Sequence, residues 1–409
     1  MYFFFFYPLG LDRVSRRHPP MTSALMVVFV VAFFWLHYLP WWFTFNPWNL
    51  VYFPGWGSPW AVVTAAFMHN GWLHLLGNMV YFQVFGPALE NRLGGPRILL
   101  YFLIWAVAGN LAHGFVSALG LLGQGGLGVM GASGAIAGMM GFSLLRLQGT
   151  RIEIGWWVLA PLAGQNRVGR TGMPLALGVL LWVGWQVIQA SLSPLTGSTV
   201  SFGAHLGGFA MGLILAKLLG ADREGHIENL LARGQRSMRE GSFFPAAGEF
   251  ARLLELKPDS VVGKLELART MMLLKRQEEA DRLYREVFAG HQRSGDVDAV
   301  VEVAAEWLRQ SGPENLTPAE LSRIAHYQEL RLDARGALET YRKLHEAHPD
   351  DPLAQRALVR VVVLAAGQAR SPEVADQYIG LARDSLPPGA WREFLEREFT
   401  RPESVRAGP

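Results

Sequence analysis

Polar side chains that could carry out a hydrolysis lie inside long apolar stretches of this sequence. Ser133 lies in a Gly-Ala-Ser-Gly segment, and His205 lies in Gly-Ala-His-Leu-Gly-Gly. His74 and Asn78 are four residues apart, which would place both on one face of a helix. Nucleophilic acyl transfer requires a hydroxyl, an imidazole base and hydrogen-bond donors for an oxyanion, and these residues could supply all three. His69, five residues before His74, completes the set of candidates.

The helices that must position these residues are predicted to cross a membrane. Residues 21–219 contain nine Asp, Glu, Lys or Arg side chains, whereas residues 220–409 contain 58. A surface with so few charges would not be soluble, so the composition excludes a soluble single-domain enzyme. About 20 apolar residues span the hydrocarbon core of a bilayer. The segments that meet this length are 21–39, 72–90, 97–119, 129–147, 174–193 and 200–219.

The basic residues of the first half predict which side of the membrane each loop occupies. Lys and Arg are enriched in cytoplasmic loops, and the loops 40–71, 120–128 and 194–199 carry no charge. Both termini are therefore expected in the cytoplasm, in an integral protein of a prokaryotic plasma (inner) membrane. The apolar stretch Ile154–Leu162 is too short to span and is expected to lie at the membrane interface. The basic residues on the cytoplasmic side are Arg13, Arg16, Arg17, Arg92, Arg97, Arg146, Arg151, Arg167, Arg170, Lys217 and Arg223.

The predicted topology brings the candidate residues to one depth. The second, fourth and sixth spans begin on the outer side, and Ser133 and His205 each lie four or five residues inside a span. His74 and Asn78 occupy the same layer of the second span. A hydrogen bond between two helices requires close backbones, which small residues permit. The glycines expected to pack the helices are Gly131, Gly134, Gly208 and Gly212.

Each motif also has an explanation without catalysis. A serine among small residues usually serves helix packing, and His205 could form a structural hydrogen bond between helices. A metal site of His69, His74 and His205 is not expected, because no carboxylate or cysteine accompanies them at ligand spacing. No cofactor is expected, and the absence of cysteine excludes disulfides and thiol catalysis. Nucleic acid is not an expected partner, since the positive charge belongs to the loops that flank the membrane.

The three motifs together closely resemble those of the rhomboid intramembrane serine proteases. The resemblance covers about residues 21–219 and therefore implies a six-helix membrane bundle. Each motif alone is modest, but their order along the chain and their placement on the second, fourth and sixth spans make the combination specific. The motifs are His69-x-x-x-x-His74-x-x-x-Asn78, Gly131-Ala132-Ser133-Gly134, and Ala204-His205 followed by Gly208-x-x-x-Gly212.

The resemblance implies a role for each candidate. Ser133 would be the nucleophile and His205 the general base of a Ser–His dyad without an acidic third member. His74, Asn78 and the Ser133 amide would form the oxyanion hole, with His69 in a supporting position. The resemblance also implies that the substrates are single-pass transmembrane proteins, which are cut near their extracytoplasmic membrane boundary. The protein itself would be embedded in the lipid bilayer.

Two positions depart from the family pattern. Rhomboid proteases often carry Trp-Arg in the first outer loop, whereas here Trp60 is followed by Ala61. Many also carry an aromatic residue four positions after the nucleophile, where it stacks on the catalytic histidine, and here that residue is Ala137. The second departure implies that His205 is held less firmly, or that another residue supplies the stacking.

The charged second half shows a helical repeat. A small residue, an aromatic residue four positions later and a helix-ending proline, at a period of 34, resemble tetratricopeptide repeats. The repeats are marked by Ala246 with Phe250, Ala280 with Tyr284, and Ala337 with Tyr341, and Pro258 and Pro349 follow the first and third. The first two repeats are 34 residues apart, and about 23 further residues (295–317) intervene before the third. A cytoplasmic protein or peptide is their expected partner, and the alternative is a helical appendage that stabilises or oligomerises the protein.

The sequence therefore predicts an all-α protein that cleaves membrane proteins. The predicted parts are a cytoplasmic tail (1–20), a six-span protease domain (21–219), a helical-repeat domain (220–400) and a flexible tail (401–409). An alternative is a catalytically inactive rhomboid-like adaptor, which binds transmembrane helices and docks cytoplasmic partners through its repeats. A transporter is a weaker alternative, because no intramembrane Asp or Glu offers a site for a coupling ion.

Overall fold

The computed structural model describes residues 3–12, 19–38, 47–55, 58–121, 128–160, 165–196 and 200–399. These residues form seventeen α-helices and one three-stranded sheet. The chain divides into two compact units, residues 1–229 and 230–409. Most described residues are helical, so the predicted all-α class holds for both units, and the sheet is an addition to it.

The first unit contains a helix at each of the six predicted spans. Three of them are long and apolar enough to cross a membrane alone: α1, α4 and α6. A fourth, α7, meets that test together with α8, and the two helices meet at a bend of 75°. The helices of this unit are α1 (Pro20–Tyr38), α2 (Ala61–Thr64), α3 (Trp72–Leu93), α4 (Gly95–Ala118), α5 (Ser133–Arg146), α6 (Leu175–Thr196), α7 (Phe202–Leu218) and α8 (Ala221–Arg239), which continues into the second unit.

Charged residues tie together the ends of three helices of the first unit. Arg92, near the end of α3, donates from Nε to Glu228 of α8 over 3.2 Å. Arg146, the last residue of α5, is 5% exposed and donates to the other oxygen of Glu228 over 2.6 Å. Burial alone would raise the pKa of Glu228, but the hydrogen bonds and charges of both arginines lower it. The ends of α3 and α5 and the first half of α8 therefore lie on one side of the bundle.

A small antiparallel sheet lies where the sequence predicted a tail and an interfacial stretch. Its strands are β1 (Phe3–Leu11), β2 (Arg151–Ala160) and β3 (Gln165–Pro174), in the order β1-β2-β3. Phe6 pairs with Trp156, and Trp156 pairs with Gly169. Aromatic and β-branched residues favour strands, but the pairing of β1 with β2 joins segments about 150 residues apart. A pattern of neighbouring residues cannot predict a pairing between segments so far apart in the sequence. The stretch 161–164 lies outside the described residues.

The second unit is a series of packed helices that agrees with the predicted repeats. The small and aromatic residues that marked the repeats are buried, from Ala246 and Phe250 at 0% exposure to Tyr341 at 6%. Gly234 lies against the ring of Phe250, where a larger residue would collide with it. The helices are α9 (Phe243–Leu256), α10 (Val261–Leu273), α11 (Gln277–Ser294), α12 (Val297–Ser311), α13 (Pro318–Leu330), α14 (Ala334–Ala347), α15 (Pro352–Ala366), α16 (Pro372–Ser385) and α17 (Ala390–Phe399). The predicted tail 401–409 lies outside the described residues.

Candidate active site

Ser133 and His205 are hydrogen-bonded to each other across two helices. The distance between Ser133 Oγ and His205 Nε2 is 2.9 Å. Ser133 is the first residue of α5, whereas the sequence placed it one turn inside the span; His205 is the fourth residue of α7. The backbone amides of a helix's first turn have no partner within the helix. The Ser133 amide therefore belongs to a helix N-terminus, where it can serve as a donor for an anion.

Glycines allow the backbones of α5 and α7 to come close enough for this bond. A Cβ atom at Gly208 would collide with the carbonyl oxygen of Gly134, and one at Gly212 would collide with that of Gly138. Gly134, Gly208 and Gly212 therefore lie at the contact between the two helices, at the positions expected from the sequence. A side chain at either position on α7 would push the helices apart and lengthen the Ser133–His205 distance.

His74 and Gly131 meet beside the serine. Gly131 has φ +116°, a conformation that favours glycine, and a Cβ atom there would lie 2.6 Å from His74 Nε2. The backbone N–H of Asn70 donates to His74 Nδ1 over 3.4 Å. This contact leaves Nε2 of His74, the nitrogen that lies against Gly131, as the one that can carry a proton. Gly131 thus serves the approach of His74, whereas the contact between α5 and α7 is formed by the other three glycines.

Asn78 lies one helical turn after His74 and lines the same pocket. Its side chain is 6% exposed, and its Nδ2 donates to the backbone oxygen of His74 over 2.8 Å. An amide nitrogen carries two hydrogens. One hydrogen fixes the side chain to its own helix, and the second is available to a group bound in the pocket.

His69 lies behind His74 rather than in the pocket. The side chain is fully buried, and its ring centre is 5.3 Å from that of His74. His69 Nδ1 lies 3.2 Å from the backbone oxygen of Phe67, and His37 Nε2 lies 2.9 Å from the backbone oxygen of His69. These contacts give His69 a packing position against His74.

Two residues of α6 contact His205, and the sequence analysis missed both. Gln186 Oε1 lies 2.7 Å from His205 Nδ1. The ring centre of Trp182, one turn earlier, lies 6.0 Å from that of His205. A polar residue in the middle of an apolar span is a signal for Gln186. α6 runs in the opposite direction to α5 and α7, so the depth of Gln186 in the membrane must be counted from the C-terminal end of its span. For this reason the sequence analysis did not group it with Ser133 and His205.

These residues surround an open pocket of about 200 Å³. Apolar side chains form most of its wall, and Ser133, His205, His74 and Asn78 contribute polar groups to it. No cluster of three His, Cys, Asp or Glu side chains that could bind a metal occurs among the described residues. The pocket is lined by Leu73, His74, Gly77, Asn78, Tyr81, Ser133, Ile136, Met140, Trp182 and His205.

A bundle of apolar helices, with a half-buried serine–histidine pair between two of them, is typical of a polytopic membrane protein. Residues 57–222 match the family described as Rhomboid domain. Residues 57–222 are therefore a rhomboid domain, and the protein is an integral membrane protein.

Proteins from plants, animals and bacteria are similar to part of this chain. The chain is 27% identical over 159 residues to RHOMBOID-like protein 5 of Arabidopsis thaliana, covering 39% of this chain and 45% of the relative. It is 28% identical over 211 residues to Rhomboid-related protein 2 of Mus musculus, covering 49% and 64%. It is 27% identical over 162 residues to Putative rhomboid protease YdcA of Bacillus subtilis, covering 40% and 68%. The chain thus spans less than two thirds of the first two relatives.

The similarity of this chain to solved structures is weak. The crystal structure of MamA protein matches 43% of this chain and 97% of its own, at 15% identity and a TM-score of 0.22. A score this low supports no conclusion about function.

Proposed function

We propose that this protein is an intramembrane serine endopeptidase that cleaves single-pass membrane proteins. The observation that carries the proposal is the 2.9 Å contact between Ser133 Oγ and His205 Nε2, at the end of an open pocket in the membrane unit. A neutral imidazole nitrogen at this distance can accept the hydroxyl proton as the oxygen attacks a carbonyl.

The reaction proceeds in two halves. His205 Nε2 takes the proton of Ser133 as Oγ bonds to the peptide carbonyl carbon, and the imidazolium then gives that proton to the leaving amine as the C–N bond breaks. The result is an acyl ester on Ser133. In the second half, His205 deprotonates a water molecule that attacks the ester, and Ser133 recovers its proton as the acid product leaves.

The proposal assigns three donors to the oxyanion that forms during each attack. They are the Ser133 amide at the N-terminus of α5, Nε2–H of His74 and the second amide hydrogen of Asn78. Donors that are already in place need no reorganisation when the charge develops, and one such donor is worth about 10²–10³ in rate.

The setting of the pocket supports a membrane-bound substrate. Exposed apolar side chains cover the outer faces of the spans, among them Leu73 of α3 and Trp185 of α6. The predicted charge pattern places the α3–α4 and α5–α6 connections in the cytoplasm, and so the Ser133 end of the pocket on the opposite side. A substrate helix must unwind locally to present a peptide bond there, and the cut is expected near the extracytoplasmic boundary.

The repeat unit completes the proposal as a docking domain for a cytoplasmic protein or peptide. Its support is the recurrence of small and aromatic residues at helical positions that are buried between paired helices, as with Ala280 and Tyr284. Stacked helix pairs of this kind create extended surfaces that bind other proteins.

Proteolysis of defined substrates in liposomes tests the proposal. The protein is reconstituted with tagged single-pass membrane proteins whose transmembrane segments differ in helix-breaking residues, and products are separated and their ends sequenced. Wild type is expected to cut at least one substrate, whereas Ser133→Ala and His205→Ala are not. Ser143→Ala is the matched control, because Ser143 is the other serine of α5 and is buried outside the pocket. Binding of substrates without cleavage would instead favour the inactive adaptor.

A further inference from the structure

We propose that Gln186 of α6 is a positioning residue for His205: its side-chain oxygen accepts the Nδ1 proton and so keeps Nε2 free to act as the base for Ser133. The proposal rests on the proposed function of the Ser133–His205 pair. It adds a third, uncharged member to what the sequence predicted as a two-residue site.

The geometry joins three side chains from three helices. Gln186 Oε1 lies 2.7 Å from His205 Nδ1, and His205 Nε2 lies 2.9 Å from Ser133 Oγ. An amide oxygen can only accept a hydrogen bond, so the imidazole nitrogen that faces it must carry the proton. A neutral imidazole has one proton, and Nε2 is therefore left with a lone pair that points at the serine hydroxyl.

The burial of Gln186 shows that α6 turns this residue inward. Gln186 is 8% exposed, while its neighbours Trp185 and Val187 are 56% and 48% exposed. A buried amide without a partner is costly in an apolar environment. The contact with His205 supplies the partner that the buried amide of Gln186 needs. It also fixes α6 to His205, the general base.

Trp182 supplies a second contact from the same face of α6. It precedes Gln186 by four residues, and its ring is tilted by 41° to the His205 ring. The aromatic residue that rhomboid proteases often carry on the serine helix is Ala137 here. The orientation of the base thus depends on α6, through one ring and one hydrogen bond, in place of a ring on α5.

An amide differs from the carboxylate of a classical triad in one testable way. Gln186 can select the tautomer of His205 but carries no charge to stabilise the imidazolium that forms during the reaction. The other groups that face His205 are Ser133 of α5 and, across the pocket, His74 of α3. A carboxylate in place of Gln186 would therefore keep the acceptor and add the charge.

Labelling by a fluorophosphonate probe measures the effect on the serine. Gln186→Met keeps the length of the side chain but removes the amide acceptor. We expect the labelling rate to fall about 10- to 100-fold, less than the about 10⁴-fold loss when a triad is forced into the wrong tautomer. Gln186→Glu keeps an acceptor oxygen and adds the charge, and it is expected to label at least as fast as wild type. Gln189→Met is the matched control, since Gln189 lies on the same helix and lines a separate surface cavity with Trp185 and Ile188.

Nitrogen-15 NMR of the imidazole distinguishes positioning from packing. In protein labelled at histidine, with His205 assigned by comparison with His205→Ala, the proton is expected on Nδ1 in wild type. In Gln186→Met it is expected to redistribute toward Nε2. Equal labelling of wild type and Gln186→Met, or a wild-type proton on Nε2, would overturn the role of Gln186. Failure of wild type to label at all would instead count against the hydrolase, while the NMR measurement would still test the Gln186 contact.

Discussion

The side chains in direct contact with His205 at the candidate site are neutral hydrogen-bonding groups and one ring. Ser133 contacts Nε2 of His205, Gln186 contacts Nδ1, and the ring of Trp182 lies tilted beside the imidazole. The imidazolium formed during catalysis therefore gains little from a nearby negative charge. We expect slow turnover compared with a triad that contains aspartate.

Asn78 offers the sharpest test of the oxyanion hole. Replacing it with alanine removes a donor, while Ser133 and His205 keep their contact. We expect kcat for a cleaved membrane substrate to fall about 10²-fold with little change in KM, since the donor acts on the developing charge. Initial rates at several substrate densities in liposomes measure both constants. A rise in KM with unchanged kcat would assign Asn78 to substrate binding instead.

The chemical groups of the site could be read from the sequence, but their partners could not. Ser133, His205, His74 and Asn78 stood out because polar groups inside apolar spans are costly. Gln186 carries the same signal. Its contact depends on which way α6 faces, and that is set by packing between helices rather than by the local sequence. Gly131 was expected to pack the helices together, but in the structure it gives room to the side chain of His74.

The site depends on the packing of helix α5 against helix α7. Gly208→Ala places a methyl group against the backbone oxygen of Gly134, which no side-chain rotation can relieve. We expect a loss of about 2–3 kcal/mol in the free energy of unfolding and a lower melting temperature in detergent.

Gly184→Ala is the control for this substitution. Gly184 lies in the middle of α6, and a Cβ atom there would meet nothing within 4 Å. Alanine has a higher helix propensity than glycine, so the melting temperature of Gly184→Ala is expected to equal that of wild type or to exceed it. Equal melting temperatures for Gly208→Ala and wild type would contradict the close contact of α5 and α7.

An ion pair joins three helices of the repeat unit and makes its stability depend on pH. Glu306 of α12 accepts from Arg269 of α10 over 2.7 and 2.6 Å, and from the hydroxyl of Tyr284 over 2.9 Å. The hydrogen bonds from Arg269, opposed by burial and aided by Tyr284, hold the pKa of Glu306 below its ordinary value of 4.5. A carboxylate with a lowered pKa contributes stability above its unfolded pKa and loses it as the pH falls through the folded value.

Glu306→Gln tests that contribution in a fragment of residues 221–399. At pH 7 the substitution is expected to cost about 1 kcal/mol, because the pair is partly exposed to solvent. The difference from wild type should shrink as the pH falls below about 4.5, where the wild-type carboxyl is protonated too. Urea unfolding followed by circular dichroism at several pH values gives both numbers. Glu302→Gln, at an exposed position of the same helix, controls for charge alone, and a difference that persists at low pH would rule out the ion pair as its source.

The sequence predicted the helices far better than the sheet. Helix positions follow from apolar length and from local repeats, so α1 and α3 to α7 lie at the six predicted spans. The strand β1 forms against β2, and that pairing depends on contacts between distant segments. Aromatic residues from Phe3 to Tyr7 were visible in the sequence, but their partner was not.

At the scale of the whole molecule, the candidate site lies within one of the two units. Ser133, His205, His74, Asn78 and Gln186 all belong to residues 1–229. A chain that ends after Arg239 keeps α8 and its ion pairs with α3 and α5. We expect it to react with a fluorophosphonate at the same rate as the full chain, within about twofold. A large loss of labelling, in a truncated protein with an unchanged melting temperature, would show that the repeats contribute to the site.

The most direct measurement locates the covalent adduct. Full-length protein in detergent or nanodiscs is treated with a fluorophosphonate, digested and mapped by mass spectrometry. We predict one adduct, on the peptide that contains Ser133, in wild type and in Ser143→Ala, and none in Ser133→Ala or His205→Ala. An unlabelled wild type, or an adduct that persists in His205→Ala at the wild-type rate, would contradict a serine activated by that histidine.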